Sequence, residues 1–245
     1  MLDLSRIKAI SIDLDDTLWP IWPTIERAEK VLDAWLCRHA PMAAALFADP
    51  TARHDMREEV MQSRPEWKHN LSAIRREAIR LALYRSRENP MLADAAFDVF
   101  FAERNRVTLF EDAVMALEFL SSRYPLVALS NGNANLRAIG IAGYFTARIS
   151  AQDFGVGKPD AKIFHAAAGA AGVEPGAVLH VGDDASLDVL GALNCGMQTV
   201  WINRVDHIWP HTEKPHETVI TLTELCDLFT RPAGAKTAEA LDLTL

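Results

Sequence analysis

Ile7-Lys8-Ala9-Ile10-Ser11-Ile12 is a short β-branched run that ends abruptly in Asp13-Leu14-Asp15-Asp16-Thr17, and the chain repeats this design after a long gap. Residues 125–129 end in Ser130-Asn131-Gly132, residues 177–181 end in Gly182-Asp183-Asp184, and 198–202 form a further run of the same kind. Arg148-Ile149-Ser150 also has strand character. Short apolar runs bounded by polar turns are the signature of buried strands. Helical patterns separate them. Ile163, Phe164, Ala167 and Ala171 stripe the stretch 159–172, with Pro159 at a first helical position and Gly172 as a stop. Leu187, Leu190 and Leu193 stripe 185–195 ahead of Gly196. Strands alternating with helices of this length predict a parallel sheet covered on both faces, a Rossmann-like α/β core.

Residues 20–106 break the alternation. They hold almost no strand-like run, but Ile25, Ala28, Leu32, Trp35 and Leu36 form one helical stripe, with Thr24 as its expected N-cap. Leu71, Ile74, Ala78, Leu81 and Ala82 form a second behind Asn70, and Leu92, Ala95, Val99 and Phe100 a third that starts at Pro90. The expectation is an all-α helical cap inserted after the first strand. This divides the chain into a catalytic core of 1–18 plus 107–230, a cap of 19–106, and a tail of 231–245 to which no function is assigned. A chain of 245 residues suffices for one large core, or for a core with an inserted smaller unit.

The net charge of -8 argues against a nucleic-acid groove or an anionic membrane face, either of which needs clustered Lys and Arg. Cys37, Cys195 and Cys226 are odd in number and widely spaced, which speaks against a disulfide framework. With no basic-then-apolar leader and no long apolar run, the expected location is the cytoplasm, as a monomer or homodimer.

In an open parallel sheet, ligands bind beyond the carboxyl ends of the strands, near the point where the strand order reverses. The polar residues of this chain fall at those ends: Asp13 and Asp15, Ser130 and Asn131, Asp183 and Asp184. Crowded carboxylates repel one another and call for a cation, and all-oxygen ligands beside a phosphate suit Mg²⁺. The i, i+2 spacing of Asp13 and Asp15 on a continuing strand puts both on one face, one as nucleophile and one as proton donor to a departing alcohol. Ser130 and the backbone N–H groups of Asn131 and Gly132 are candidates to hold phosphate oxygens, and Lys158 supplies a fixed positive charge.

Taken in order, Asp13-Leu14-Asp15-Asp16-Thr17, Ser130-Asn131-Gly132, Lys158-Pro159 and Gly182-Asp183-Asp184-Ala185-Ser186-Leu187-Asp188 resemble the four motifs of the haloacid dehalogenase-like hydrolase superfamily, in its helical-cap branch. The resemblance implies a Mg²⁺-dependent phosphatase acting on a small phosphorylated metabolite. Asp13 would be the nucleophile, Asp15 the acid/base, and Ser130 and Lys158 the phosphoryl holders. The metal would be held by Asp13, the backbone carbonyl of Asp15 and Asp183. Thr17, Asp184 and Asp188 would play supporting parts, with Asp188 orienting Lys158 or a metal-bound water. The stretches around 125–142 and 178–202 look closest to bacterial phosphatases of flavin mononucleotide and of the phosphorylated ribitylaminouracil in riboflavin synthesis. Rival readings are a haloacid dehalogenase, which usually lacks a carboxylate at the position of Asp15, a sugar phosphomutase, and a non-catalytic protein that binds a phosphorylated ligand.

Several residues carry a plainer reading. Asp183-Asp184 alone would read as a helix N-cap, and Asp16 as a solvated turn. His207 and His211 have Pro210 between them and read as surface residues rather than ligands. Trp19 and Trp22 either wall the substrate pocket or pack the hinge into the cap. Trp67, His69, Arg75 and Arg76 are the cap residues to test for substrate contact, although two adjacent arginines are more often a solvated helix face. Cys195 reads as core.

Overall fold

Strands β1 (Ala9–Ile12), β2 (Leu126–Ser130), β4 (Val178–Gly182) and β5 (Gln198–Ile202) are buried at every position, which explains why they read as continuous apolar runs rather than as alternating ones. In the computed structural model, which describes residues 2–230, they join β3 (Ala147–Ser150) and β6 (Glu217–Val219) in one sheet. Every pair is parallel and the order is β3-β2-β1-β4-β5-β6. The edge strand β6 has no counterpart among the expected strands, because a half-exposed three-residue segment is too short to show a period. The tail 231–245 lies outside the described residues.

The order reverses at β1: β2 and β3 lie on one side, β4 to β6 on the other. The crevice of such a sheet opens at the carboxyl ends of the strands flanking the reversal, here β2, β1 and β4. These are the strands that end in Ser130, Ile12 and Gly182, so the polar loops of the sequence meet at one place.

Between β1 and β2 the chain first runs through five helices that pack on one another, α1 (Ile21–His39), α2 (Pro41–Phe47), α3 (Pro50–Ser63), α4 (Leu71–Arg85) and α5 (Ala93–Arg104), before a sixth returns it to the sheet. Their apolar faces, from Ala28 to Phe100, bury one another in a cluster separate from the two that cover the sheet. Asn70 caps α4 as expected, accepting the Ala73 N–H at 2.9 Å. Thr24 does not cap α1. The helix begins earlier, at Ile21, because Asp16 reaches forward to accept the Ile21 N–H at 2.9 Å, and the Thr24 hydroxyl donates back to the Pro20 carbonyl. Asp16 does lie in the turn after β1, with φ of 60°, but it is half-buried and serves as the helix-start acceptor rather than standing free in solvent. Pro90 opens a 3₁₀ turn, and α5 proper starts at Ala93.

The remaining helices are α6 (Ala113–Ser121), α7 (Leu136–Ile139), α8 (Ala151–Phe154), α9 (Ala161–Ala170), α10 (Gly191–Leu193) and α11 (Leu222–Leu228). Pro159 is not the first residue of α9: Asp160 caps it, accepting the Lys162 N–H at 2.9 Å, so the helix starts two residues later than expected. The helical stripe over 185–195 is a π-helical turn, Ala185–Leu190, running into α10, and Asp184 caps it by accepting the Ser186 and Leu187 N–H groups. No helix among the described residues is long and apolar enough to cross a membrane.

Phe47 is wholly enclosed by the inserted helices. Truncating a buried Phe removes its transfer energy and leaves a cavity, so Phe47→Ala should cost about 3–5 kcal/mol of stability. Urea unfolding monitored by circular dichroism checks this; an unchanged midpoint would show that the helical segment does not pack as described.

Candidate active site

Asp13 is the first residue past β1. Its N–H donates to the Val181 carbonyl at 2.9 Å, carrying the β1–β4 pairing one step beyond the strand. Its carboxylate is buried against the Lys158 ammonium, and the same ammonium bonds Asp188. Lys158 is delivered from the loop before α9 by the side chain of Asn131. That amide accepts the Lys158 N–H at 2.7 Å and donates to the Lys158 carbonyl at 2.9 Å, so the loop after β2 and the lysine move as one piece.

Asp188 is held from every side. Oδ1 takes Lys158 and His180, and Oδ2 accepts the Asp184 N–H at 3.1 Å. His180, fully buried on β4, lies between Asp188 at 3.1 Å from Nε2 and Ser11 Oγ at 2.8 Å from Nδ1. An ionised carboxylate only accepts, so Nε2 carries the proton and Nδ1 accepts from the serine. Gly182 makes room for this packing: a Cβ there would come 2.4 Å from Asp188 Cγ.

Asp13, Asp183 and Asp188 gather their oxygens within 4.8 Å of one another. Thr17 donates its hydroxyl to Asp183 Oδ1 at 3.1 Å, and Trp201 ties the Asp183 carbonyl through its indole N–H at 2.7 Å. Three carboxylates with one lysine leave a net negative charge in a buried place, and an all-oxygen donor set of this kind fits a hard divalent cation. The side chain of Asp15 is not part of the cluster, and the resemblance assigns Asp15 to the metal only through its backbone carbonyl; the third carboxylate is that of Asp188. The chain leaves the strand at Ile12, so Asp13 and Asp15 lie in the loop rather than on a continuing strand, and the Asp15 carboxylate turns to Trp19 and Arg104.

Asp15 faces the inserted helices. Its carboxylate accepts the Trp19 indole N–H at 2.8 Å, and Arg104 Nη2 lies 2.8 Å from both of its oxygens. Arg104, the last residue of α5, is buried, and its Nε also donates to Asn133 at 3.0 Å. Gly132 permits the approach: a Cβ at that position would come 2.4 Å from Asp15 Oδ2. The Gly132 N–H points to Ser130 Oγ at 2.9 Å, so the loop after β2 is closed on itself.

Trp19 is fully buried and holds Asp15, whereas Trp22 is 68% exposed and lines a cavity next to the site together with Arg75. Arg75 is bonded to Glu29 within the helical unit. Arg76 faces Asp94 and the ring of Phe97 and is not among the residues lining that cavity. Trp67 packs under Arg64, and His69 is half-buried beside the Asn70 cap. His207 is exposed, and His211 meets the Ser186 hydroxyl at 2.9 Å and the edge of the Trp209 ring. Cys195 is half-buried at the edge of a cluster on the sheet. Sequence reasoning missed Arg104 and His180. Arg104 looks like an ordinary cation at a helix C-terminus, and His180 is hidden inside a strand that reads as wholly apolar.

A family model described as haloacid dehalogenase-like hydrolase matches residues 7–196. The 5-amino-6-(5-phospho-D-ribitylamino)uracil phosphatase YigB of Escherichia coli (strain K12) is 31% identical over 234 residues, covering 92% of this chain and 98% of its own length. The phosphoserine phosphatase of Thermus thermophilus is 29% identical and covers 81% of this chain and 89% of its own. The crystal structure of a 2-haloacid dehalogenase from Pseudomonas syringae pv. Tomato DC3000 superposes with a TM-score of 0.87 at 34% identity, over 91% of this chain and 98% of that one.

Charge within the cluster is uneven. Burial pushes the Asp183 carboxyl up to about 7, with the Asp188 and Asp16 carboxylates adding to it. Burial raises Asp13 as well, against the pull of Lys158. At Asp188 burial is overridden by Lys158 and His180, which hold it at about 2, and Lys158 stays protonated between its two carboxylates. Burial lowers His180, which favours its neutral form. An aspartate raised from about 4 in the unfolded chain contributes stability that is present below about pH 4 and lost as pH rises through its folded value. Asp188 works the other way, but its window lies between about 4 and 2. His180 opposes this where a free imidazole titrates, because its lowered folded value makes stability rise with pH up to about 6.5, so the metal-free protein should lose melting temperature between about pH 6.5 and pH 8, and added MgCl₂ should restore it most at the alkaline end. Melting curves across that range, with and without the ion, test this; a magnesium effect that shrinks as pH rises would refute the assignment of the cluster as a cation site.

Proposed function

Because this chain belongs to the haloacid dehalogenase-like hydrolases and is a phosphoric monoester hydrolase among them, we propose that it moves the phosphoryl group of a small phosphorylated metabolite onto Asp13 and then to water. The observation that carries this reading is the pair of unlike carboxylates: Asp13 buried on Lys158, and Asp15 outside the cluster with hydrogen-bond donors of its own. Phosphate ester cleavage needs both, a nucleophile and a group to protonate the departing alcohol.

In the first step a carboxylate oxygen of Asp13 forms a bond to phosphorus while the bond to the ester oxygen breaks, and Asp15 gives its proton to that oxygen. In the second, Asp15 takes a proton from water as the water oxygen bonds to phosphorus and the Asp13 ester is released, which yields alcohol and inorganic phosphate and restores both side chains. Lys158, fixed by Asp188 and Asn131, offsets the charge on Asp13 and on the phosphoryl oxygens, and Ser130 stands at the mouth of β2 to hold one of those oxygens. Asp13, Asp183 and Asp188 would hold a magnesium ion, which when bound supplies the positive charge that lets an anionic nucleophile meet an anionic ester. We take α1–α5 as a cap over this site, with boundaries near residues 19 and 106.

Likeness to the ribitylaminouracil phosphatase over nearly the whole of both chains supports a riboflavin-pathway phosphate or flavin mononucleotide as substrate. The similarity to a 2-haloacid dehalogenase favours a second reading, in which Asp13 displaces a halide. Such a reaction has no alcohol to protonate and no use for Asp15.

The purified protein should hydrolyse an aryl phosphate with magnesium and stop with a chelator. Asp13→Asn should reduce kcat by at least about 10⁴-fold with an unchanged circular dichroism spectrum, since a covalent route cannot begin without the nucleophile. Phosphate release is the measure for flavin mononucleotide, phosphoserine and sugar phosphates, and halide release for 2-chloropropionate. Halide release without phosphate release would decide for the dehalogenase.

A further inference from the structure

Two buried guanidinium nitrogens, Arg57 Nε and Arg104 Nη1, have no hydrogen-bond partner, and both residues line the same cavity. This cavity, of about 420 Å³, also touches Asp15, Asn131 and Gly132, so it is continuous with the phosphoryl site. Its walls are apolar: Trp22, Ile25, Leu71, Ile74 and Phe100, with Arg75 lying 3.7 Å over the Phe100 ring.

The charge of the cavity is one-sided. Three arginines line it against a single carboxylate, Asp15, whose oxygens are already taken by Trp19 and Arg104. Glu29, which binds Arg53, Arg57 and Arg75, is not among the lining residues. A buried cationic N–H left without an acceptor is costly, and a ligand oxygen brought to it recovers that cost. An ammonium group placed there would meet three guanidinium groups, and the one carboxylate that lines the cavity is already paired with Arg104.

We propose that this cavity receives the leaving group of the phosphomonoester, that it is shaped for a flat apolar group bearing a carbonyl or carboxylate oxygen, and that Arg57 and Arg104 are the residues that read that oxygen. The inference rests on the phosphatase reading of the same site and goes further by fixing the sign of the leaving group. Neutral or anionic ring-bearing alcohols are accepted, while amino-alcohols such as serine are refused. Arg104 has a double part, since its Nη2 also holds Asp15.

Three phosphate esters of one shape test this with the full-length protein and magnesium: phenyl phosphate, 4-carboxyphenyl phosphate and 4-(aminomethyl)phenyl phosphate. The order of kcat/KM should be carboxyl over unsubstituted over aminomethyl, with about tenfold or more between the first two, the worth of one hydrogen bond to a charged group. Arg57→Met should bring the carboxyl-to-phenyl ratio close to one, mainly through KM. Arg104→Met should erase the same ratio and in addition lower kcat on all three esters. Equal kcat/KM on the three esters, a preference for the ammonium, or a ratio that survives in Arg57→Met would overturn the proposal while leaving the phosphatase intact. A folded wild-type protein that cleaves none of the three would instead bring down the phosphatase reading beneath it.

Discussion

A single ammonium group, that of Lys158, lies between Asp13 and Asp188 out of reach of water, and the rest of the site is arranged around that contact. A buried charge is tolerated only when it is paired and hydrogen-bonded, and breaking such a pair by removing one partner costs about 3–5 kcal/mol. The lysine is correspondingly constrained through its backbone by Asn131, and its second carboxylate is constrained by His180 and by the Asp184 N–H. Each constraint comes from a different part of the chain: β2, β4 and the turn that follows β4. The parallel sheet is what brings them within reach, because the order reversal at β1 sets the ends of β1, β2 and β4 side by side.

The cluster is nevertheless short of positive charge. Asp183 and Asp13 are both raised by burial, as carboxylates should be when one lysine serves three of them. An arrangement that is electrostatically incomplete is suited to a cation and to a doubly charged phosphoryl group, since the ligand then brings part of what the fold lacks.

The helical insertion also reaches into the candidate site. Asp15 belongs to the loop after β1, yet an arginine from the end of α5 and a tryptophan at the entry to α1 set its position. In the proposed reaction the group that exchanges a proton with the substrate, Asp15, is thus fixed from the side of the helices, and the proposed nucleophile, Asp13, from the side of the sheet.

The sequence by itself determined the sheet, the insertion and the loops that hold the site, since these follow from local signals: short runs that stop at Asp13, Ser130 and Asp183, and helical periods over 20–106. It also determined that Lys158 and Asp188 belong with them, through the order and chemistry of the motifs. Tertiary structure alone decided that the Asp188 carboxylate joins those of Asp13 and Asp183 while that of Asp15 turns to Trp19 and Arg104. It alone decided that Arg104 reaches Asp15 and that His180 supports Asp188. The contacts span 89 residues in the one case. In the other the histidine lies in a strand whose two faces are both buried, where no period distinguishes a working side chain from a packed one. The start of α1 was decided in the same way: a distant-looking Asp16 folds back through its left-handed φ to supply the acceptor that Thr24 would have offered three residues later.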